Sequence, residues 1–235
     1  MENKTITVTG ANRGLGRALI EVALEYSPKK IYAAFKDMSF KEEIENINPI
    51  IEVVELDITD EDVVQKFYDK TKYTDILINN AGVNSNCRIF TKKTNDLEVN
   101  FHGTVKVCKQ FFEDAKKRKI KIVNVSSVAA LINMPLIADY SISKAALHSF
   151  TQCLRAELAL YGSEVYEVFP GPINTRLTEG LPILKAEPKD VAKAIYESIK
   201  KKEEDIFPDD FAKSLRDRLI QDPKSVEKEL AKSLT

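Results

Sequence analysis

The feature that most restricts the fold of this chain is a regular alternation along it. Short apolar bursts are separated by longer stretches with helical periodicity. Bursts begin at Thr5 (T-I-T-V-T), Lys30 (K-I-Y-A-A-F), Ile50 (I-I-E-V-V-E-L), Asp75 (D-I-L-I-N), Lys121 (K-I-V-N-V-S) and Glu164 (E-V-Y-E-V-F), with a shorter one at Asp205 (D-I-F). Helical stretches fill 14–26, 60–71, 95–118, 140–161 and 188–201. Parallel strands buried on both faces read as continuous apolar runs, and each needs a long crossover to the next. The pattern therefore predicts an α/β fold with a doubly wound, mostly parallel seven-stranded sheet and helices on both faces. No Pro/Gly/Ser linker, repeat or low-complexity tract interrupts it, so residues 1–235 read as one domain. From about 209 to 235 the chain changes to a helical tail. Phe211, Leu215 and Leu219 form an apolar stripe, Asp222-Pro223 reads as the cap and first turn of another helix, and Val226, Leu230 and Leu234 continue it. This tail is expected to pack on the domain or on a second subunit, with a substrate lid as the alternative.

Composition excludes several classes. A net charge of -1 with both signs interspersed gives no electrostatic case for nucleic acid or an acidic membrane. The densest basic run, K-K-R-K-I-K from Lys116, falls at a helix end, where cations offset the negative end of the helix dipole. Three scattered cysteines (Cys87, Cys108, Cys153) without a C-x-x-C argue against a disulfide framework or a zinc site. His102 and His148 read as packing or surface residues, and no metal is expected. No uncharged run reaches the ~18–20 residues of a membrane span, and a first strand starting near Thr5 leaves no signal peptide. A reducing cytoplasm is the expected location.

Two stretches carry chemistry. The first strand runs into T-G-A-N-R-G-L-G, where Gly10, Gly14 and Gly16 allow a tight turn, close backbone approach to a phosphate, and close packing of helix on strand. Placed between the first strand and first helix, this G-x-x-x-G-x-G points to a dinucleotide site in a Rossmann-like sheet. The second stretch is Ser127 to Lys144. Tyr-x-x-x-Lys alone is uninformative here, because five of the eight tyrosines (26, 32, 68, 140 and 196) have Lys four residues on. Only Tyr140 also has a serine thirteen residues before it, at the end of the apolar run I-V-N-V-S-S. A hydroxyl, a phenol and an ammonium at these spacings suit proton transfer to a carbonyl.

These pieces occur in order with L-D-I-T at Leu56, N-N-A-G at Asn79, V-N-F-H-G at Val99 and P-G-P-I-N-T at Pro170. In that order the chain resembles the short-chain dehydrogenase/reductase family, over nearly its whole length to about Pro208. The resemblance implies a nicotinamide dinucleotide along the carboxyl ends of the strands, with its pyrophosphate over the Gly10–Gly16 turn (Gly10, Asn12, Arg13, Gly14, Leu15, Gly16). It places Asp57 and Ile58 at the adenine, Asn80, Ala81 and Gly82 at the adenosine ribose, and Pro170, Gly171, Ile173 and Thr175 at the nicotinamide amide. Lys144 is expected to hold the nicotinamide ribose as well. Outside this order, Asp57 reads equally as a strand-end turn residue and Asn80 as a backbone cap. For the choice of cofactor, Lys36 ends the second strand, Asp37 follows it, and Arg13 precedes Gly14. Two cations against one acid favour NADP, with NAD the alternative; both cations also read as solvated surface charges.

The implied reaction is hydride transfer between NADP(H) and a carbonyl/alcohol pair. Tyr140 protonates the oxygen, Ser127 orients it, and Lys144 lies one helical turn away, its charge and that of an oxidised nicotinamide together pulling the phenol pKa down from about 10. Asn100 matches the family's fourth catalytic position, keeping a water in the proton path; it also reads as a helix-interior amide. The pocket is expected to be bordered by Val83, Asn84, the loop Leu131–Ala138 and the segment 176–185 with Leu177, Leu181, Pro182, Ile183 and Leu184. That apolar surface suits a moderately hydrophobic small-molecule carbonyl compound or packs a short loop onto the core. The stretch 82–100 is shorter than expected in the family, which puts its usual helix in doubt. The resemblance also implies a homodimer or homotetramer. Alternatives are a 3-ketoacyl-thioester reductase and a non-catalytic dinucleotide-binding sensor or scaffold.

Overall fold

The computed structural model describes residues 1–180 and 182–234, so Leu181 and Thr235 lie outside the described residues. The chain runs β1 (Thr5–Thr9), α1 (Gly14–Ala23), β2 (Lys30–Phe35), α2 (Lys41–Glu45), β3 (Ile51–Glu55), α3 (Glu61–Thr71) and β4 (Ile76–Asn79). A π-helical stretch, Leu97–Gly103, leads directly into α4 (Thr104–Arg118). Then follow β5 (Lys121–Val125), α5 (Ala138–Ala159), β6 (Glu164–Val168), α6 (Pro188–Lys201), β7 (Asp205–Ile206), α7 (Asp210–Gln221) and α8 (Pro223–Ala231). Each expected strand and long helix forms within a few residues of its apolar run. Only α2 was not foreshadowed, since five residues are too few to show a helical period.

The sheet is parallel throughout, in the order β3-β2-β1-β4-β5-β6-β7. Connections run outward one way from β1 through β2 and β3, and the other way from β4 onward. The crevice between the carboxyl ends of β1 and β4 is therefore the topological switch point, where open sheets of this kind bind ligands.

Successive strand residues point to opposite faces, and both faces are buried. On one side Ile6, Val8, Val123 and Tyr166 pack against Leu19 and Ile20 of α1 and Ile195 and Tyr196 of α6. The Tyr196 hydroxyl donates to Leu19 O at 3.0 Å, which satisfies the one polar atom of that buried ring. On the other side Leu77, Ile122 and Val165 pack against Phe67, Phe111, Leu154 and Leu158. A smaller third cluster joins Val128 and Phe169 to Ala212, Leu215 and Val226 of the tail, so α7 and α8 pack on the body of the fold. Both tail helices are capped by aspartate: Asp209 accepts from Ala212 N at 2.8 Å and Asp222 from Ser225 N at 2.9 Å, the latter at the expected position. No helix among the described residues is long and apolar enough to cross a membrane.

Phe111 is fully buried and meets the Phe67 and Tyr68 rings edge-on at 6.0 and 5.2 Å. Phe111→Ala is expected to lower the unfolding free energy by about 3–5 kcal/mol in a denaturant titration. Ile220→Ala, on an exposed face of α7, is expected to stay within about 0.5 kcal/mol of the parent.

Candidate active site

At the switch point the backbone leaves β1 in a turn with Gly10 at φ +66° and Gly14 at φ +55°, both in the region that glycine alone enters without strain. A side-chain carbon at Gly16 would overlap the Gly10 carbonyl oxygen, and one at Gly10 would lie 2.9 Å from Ala81 Cα. The turn therefore requires glycine for packing as well as for dihedral angles, and it leaves the amino end of α1 open for an anion. Asn80 secures the arrangement. Its Nδ2 donates to Thr9 O at 3.0 Å and Gly10 O at 3.3 Å, while the N–H groups of Asn80 and Ala81 both donate to Thr9 Oγ1 at 3.0 Å.

At the end of β2, Lys36 is largely exposed, and its Nζ lies 2.6 Å from Asp57 Oδ2. Burial works to raise the Asp57 carboxyl, but hydrogen bonds from Lys36 and from the N–H and hydroxyl of Thr59 bring it down to about 2. Asp37 accepts from Ser39 N at 3.2 Å and Ser39 Oγ at 2.6 Å, which holds its carboxyl below the usual range. The acid at this strand end is thus engaged with its own turn.

On the far side of the crevice β5 ends at Val125, and Ser127 caps a short turn, its Oγ accepting from Ala129 N at 3.1 Å. Helix α5 carries Tyr140 and Lys144 one turn apart on the facing side. Lys144 Nζ donates to Val125 O at 2.8 Å and sits 5.7 Å from the centre of the Tyr140 ring. Burial pushes the Tyr140 phenol up to about 12; the nearby Ser127 hydroxyl opposes this and the charge of Asp96 adds to it. Burial brings Lys144 down to about 8. Removal from water outweighs the neighbouring ammonium here, whose hydrogen bond goes to the backbone; the expected lowering joins the charge of an oxidised nicotinamide to that of Lys144.

Asn100 is fully buried behind this floor and does not line the crevice. Its Oδ1 accepts from Val83 N at 2.8 Å, and its Nδ2 donates to Val83 O and Ser143 Oγ, both at 2.9 Å. Ser143 in turn donates to Tyr140 O at 2.7 Å, so Asn100 ties the loop after β4 to α5. Asp96, also fully buried, accepts from Ser85 N at 3.0 Å. Nothing in the sequence set it apart from other polar loop residues.

All eighteen residues expected around the cofactor, together with Ser127, line one cleft of about 1240 Å³. This exceeds the ~300–1,000 Å³ of a pocket for one small molecule. The Cβ-free cradle at Gly10 and Gly16, the open amino end of α1 and the length of the cleft fit a dinucleotide with space beyond it. That further space is bordered by Val83, Asn84, Met134, Ile137, Arg176, Leu177, Thr178 and Ile183 as expected, and by Asn86, Asn95 and Val99, which were not anticipated. Within the 131–138 loop, Leu131 and Ile132 pack toward the tail instead. Leu184 is turned to solvent, Pro182 is exposed, and Leu181 lies outside the described residues. Residues 82–95 form no helix, in keeping with the shortness of that stretch.

Known proteins share both sequence and shape with this chain. Estradiol 17-beta-dehydrogenase 2 of Rattus norvegicus is 31% identical over 193 residues, and the chain spans about half of its length. The 3-oxoacyl-(acyl-carrier-protein) reductase of Vibrio cholerae is 30% identical over 190 residues, covering 77% of this chain and 78% of that protein. A crystal structure of a short chain dehydrogenase from Burkholderia cenocepacia, in complex with NADP, is 31% identical with a TM-score of 0.91 and covers 97% of this chain and 98% of that one. The family model described as short chain dehydrogenase matches residues 4–183, and with the parallel sheet and the glycine turn in their expected places the chain belongs to the short-chain dehydrogenase/reductase family.

Proposed function

We propose that the protein transfers hydride between NADP(H) and a carbonyl/alcohol pair, with Ser127, Tyr140 and Lys144 handling the proton. The observation that carries this reading is the convergence of these three side chains on the floor of the same cleft that the glycine turn opens into. A bound nicotinamide supplies or accepts the hydride; the remaining work falls to side chains of the chain itself. In the reductive direction the Tyr140 hydroxyl, a phenol at neutral pH, donates its proton to the carbonyl oxygen as that oxygen becomes basic. Ser127, which lines the same cleft as the phenol, would donate to the same oxygen and fix its orientation. Lys144 stabilises the phenolate left behind by charge, and Asn100 holds the loop of Val83 and the start of α5 in register.

NADP is favoured by the cations at the end of β2. Arg13 and Lys36 both line the cleft, whereas Asp37 is turned to Ser39 and Asp57 is neutralised by Lys36. A 2′-phosphate in this corner would meet Arg13 and compete with Asp57 for Lys36. The substrate end, lined by Val83, Val99, Met134, Ile137, Leu177 and Ile183, suits a substrate with an apolar body next to its carbonyl. Estradiol and 3-oxoacyl-(acyl-carrier-protein), which appear in the names of the relatives from rat and Vibrio, therefore belong in a first screen.

Tyr140→Phe is expected to reduce NADPH-dependent carbonyl reduction by about 10²–10⁴-fold while NADPH binding, followed by nucleotide fluorescence, stays near that of the parent; unchanged turnover would remove Tyr140 from the reaction. Lys36→Asp is expected to shift the ratio of kcat/KM for NADPH over NADH toward NADH by about tenfold or more. A ratio that does not move would refute the assignment of this corner to a 2′-phosphate.

A further inference from the structure

Behind the catalytic face, outside the cleft, α5 continues the same stripe. Tyr140, Lys144, His148 and Gln152 follow at four-residue spacing and so share one side of the helix. His148 Nδ1 lies 2.8 Å from Glu167 Oε2, and its Nε2 lies 3.2 Å from Gln152 Nε2. Glu167 has no exposed surface and sits within β6, in register with Asn124 of β5. Both side chains face α5: Asn124 donates to Thr151 at 2.9 Å, and Glu167 meets His148 one turn from Lys144. Glu167 Oε1 and the neighbouring buried Ser126 hydroxyl have no hydrogen-bond partner within 3.5 Å among the described residues, though Ser126 lies near enough to help favour the ionised carboxylate.

A carboxylate in the middle of a doubly covered sheet persists only where opposite charge or donors compensate it. Burial raises the Glu167 carboxyl, and the hydrogen bond and charge of His148 oppose that rise. Burial likewise lowers Lys144, and the charge of Glu167 opposes that fall. The other ionisable groups acting here are Tyr140 on α5, Asp96 before α4, which acts on Tyr140, and Asp205 on β7. Asp205 raises Glu167 but is itself held by Arg155 at 2.7 Å. The ring of Phe169 closes the pair off, edge-on to His148 at 5.3 Å.

Resting on the reading of Lys144 as part of the proton-transfer site, we propose that Glu167, held by His148, is a positioning residue that supplies the buried counter-charge keeping Lys144 cationic. It touches neither substrate nor cofactor and acts through Lys144 alone. The test is a titration of the isolated chain labelled with carbon-13 at lysine Cε, with the Lys144 resonance assigned by its loss in Lys144→Arg. In Glu167→Gln, which keeps size and shape, the Lys144 midpoint is expected to fall by about half a unit or more. His148→Ala, which removes the donor that favours the ionised carboxylate, is expected to move it the same way, and it carries the test alone if Glu167→Gln fails to fold. In carbonyl reduction the alkaline limb of the pH profile is expected to move down by the same amount, with the plateau rate changed less than about threefold. An unmoved midpoint, or a loss of rate equal at every pH, would overturn the proposal by reducing the pair to a packing element. A shifted midpoint in a protein whose parent reduces no carbonyl compound would leave the counter-charge standing and remove the catalytic reading instead.

Discussion

Helix α1 is seated so closely on β1 that position 16 has no room for a side-chain carbon beside the Gly10 carbonyl. Much of the site follows from this contact. It brings the amino end of α1 to the level of the strand ends, where its free N–H groups and dipole face the crevice between β1 and β4. Because Thr9 and Gly10 also receive the hydrogen bonds of Asn80 and Ala81, the turn fixes the first residues after β4 at the same time. From there Val83 is held by Asn100, and Asn100 by Ser143 of α5. One glycine-dependent approach is thus linked through four hydrogen-bonding residues to the helix that carries Tyr140 and Lys144.

The floor of the cleft has a different character. Burial drives the phenol and the ammonium in opposite senses, each toward its neutral form. Partial removal from water makes charge separation costly in the resting chain and makes each compensating charge more effective when a reaction creates one. Ser127, Val125 O and Glu167 are the compensations built into the fold: a hydroxyl near the phenol, a carbonyl on the ammonium, and a carboxylate on the next strand.

The sheet was legible in the sequence because strands buried on both faces are rich in apolar residues, and each of β1 to β6 carries at least two aliphatic or aromatic ones within a short run. The cofactor half of the site was legible for a related reason: close backbone approach restricts residue choice to glycine and to side chains that cap backbone groups, as at Gly10, Gly16 and Asn80. What the sequence did not reveal depends on the third dimension. Asp96 and Glu167 look like ordinary polar residues in a loop and a strand, and only burial makes their charge matter. His148 was read as a packing or surface residue because its partner is nineteen positions away on another element. The upward push of burial on Tyr140 was not foreseen because the spacing of Tyr and Lys reveals proximity but not burial. Leu131 and Ile132 were placed at the substrate because apolar loop residues do not disclose which of two surfaces they cover.

The packing of α7 and α8 has a consequence for the order in which the site is completed. Asp209 accepts from the Gly171 N–H at 2.8 Å, and Leu215 and Val226 support Val128 and Phe169 from behind. The glycine turn, Asn80, Tyr140 and Lys144 all leave the ribosome before these supports do. During synthesis the dinucleotide cradle can therefore assemble while the wall carrying Met134 still lacks its backing. The residues of the glycine turn are thus synthesised well before those that back the walls carrying Gly171 and Met134.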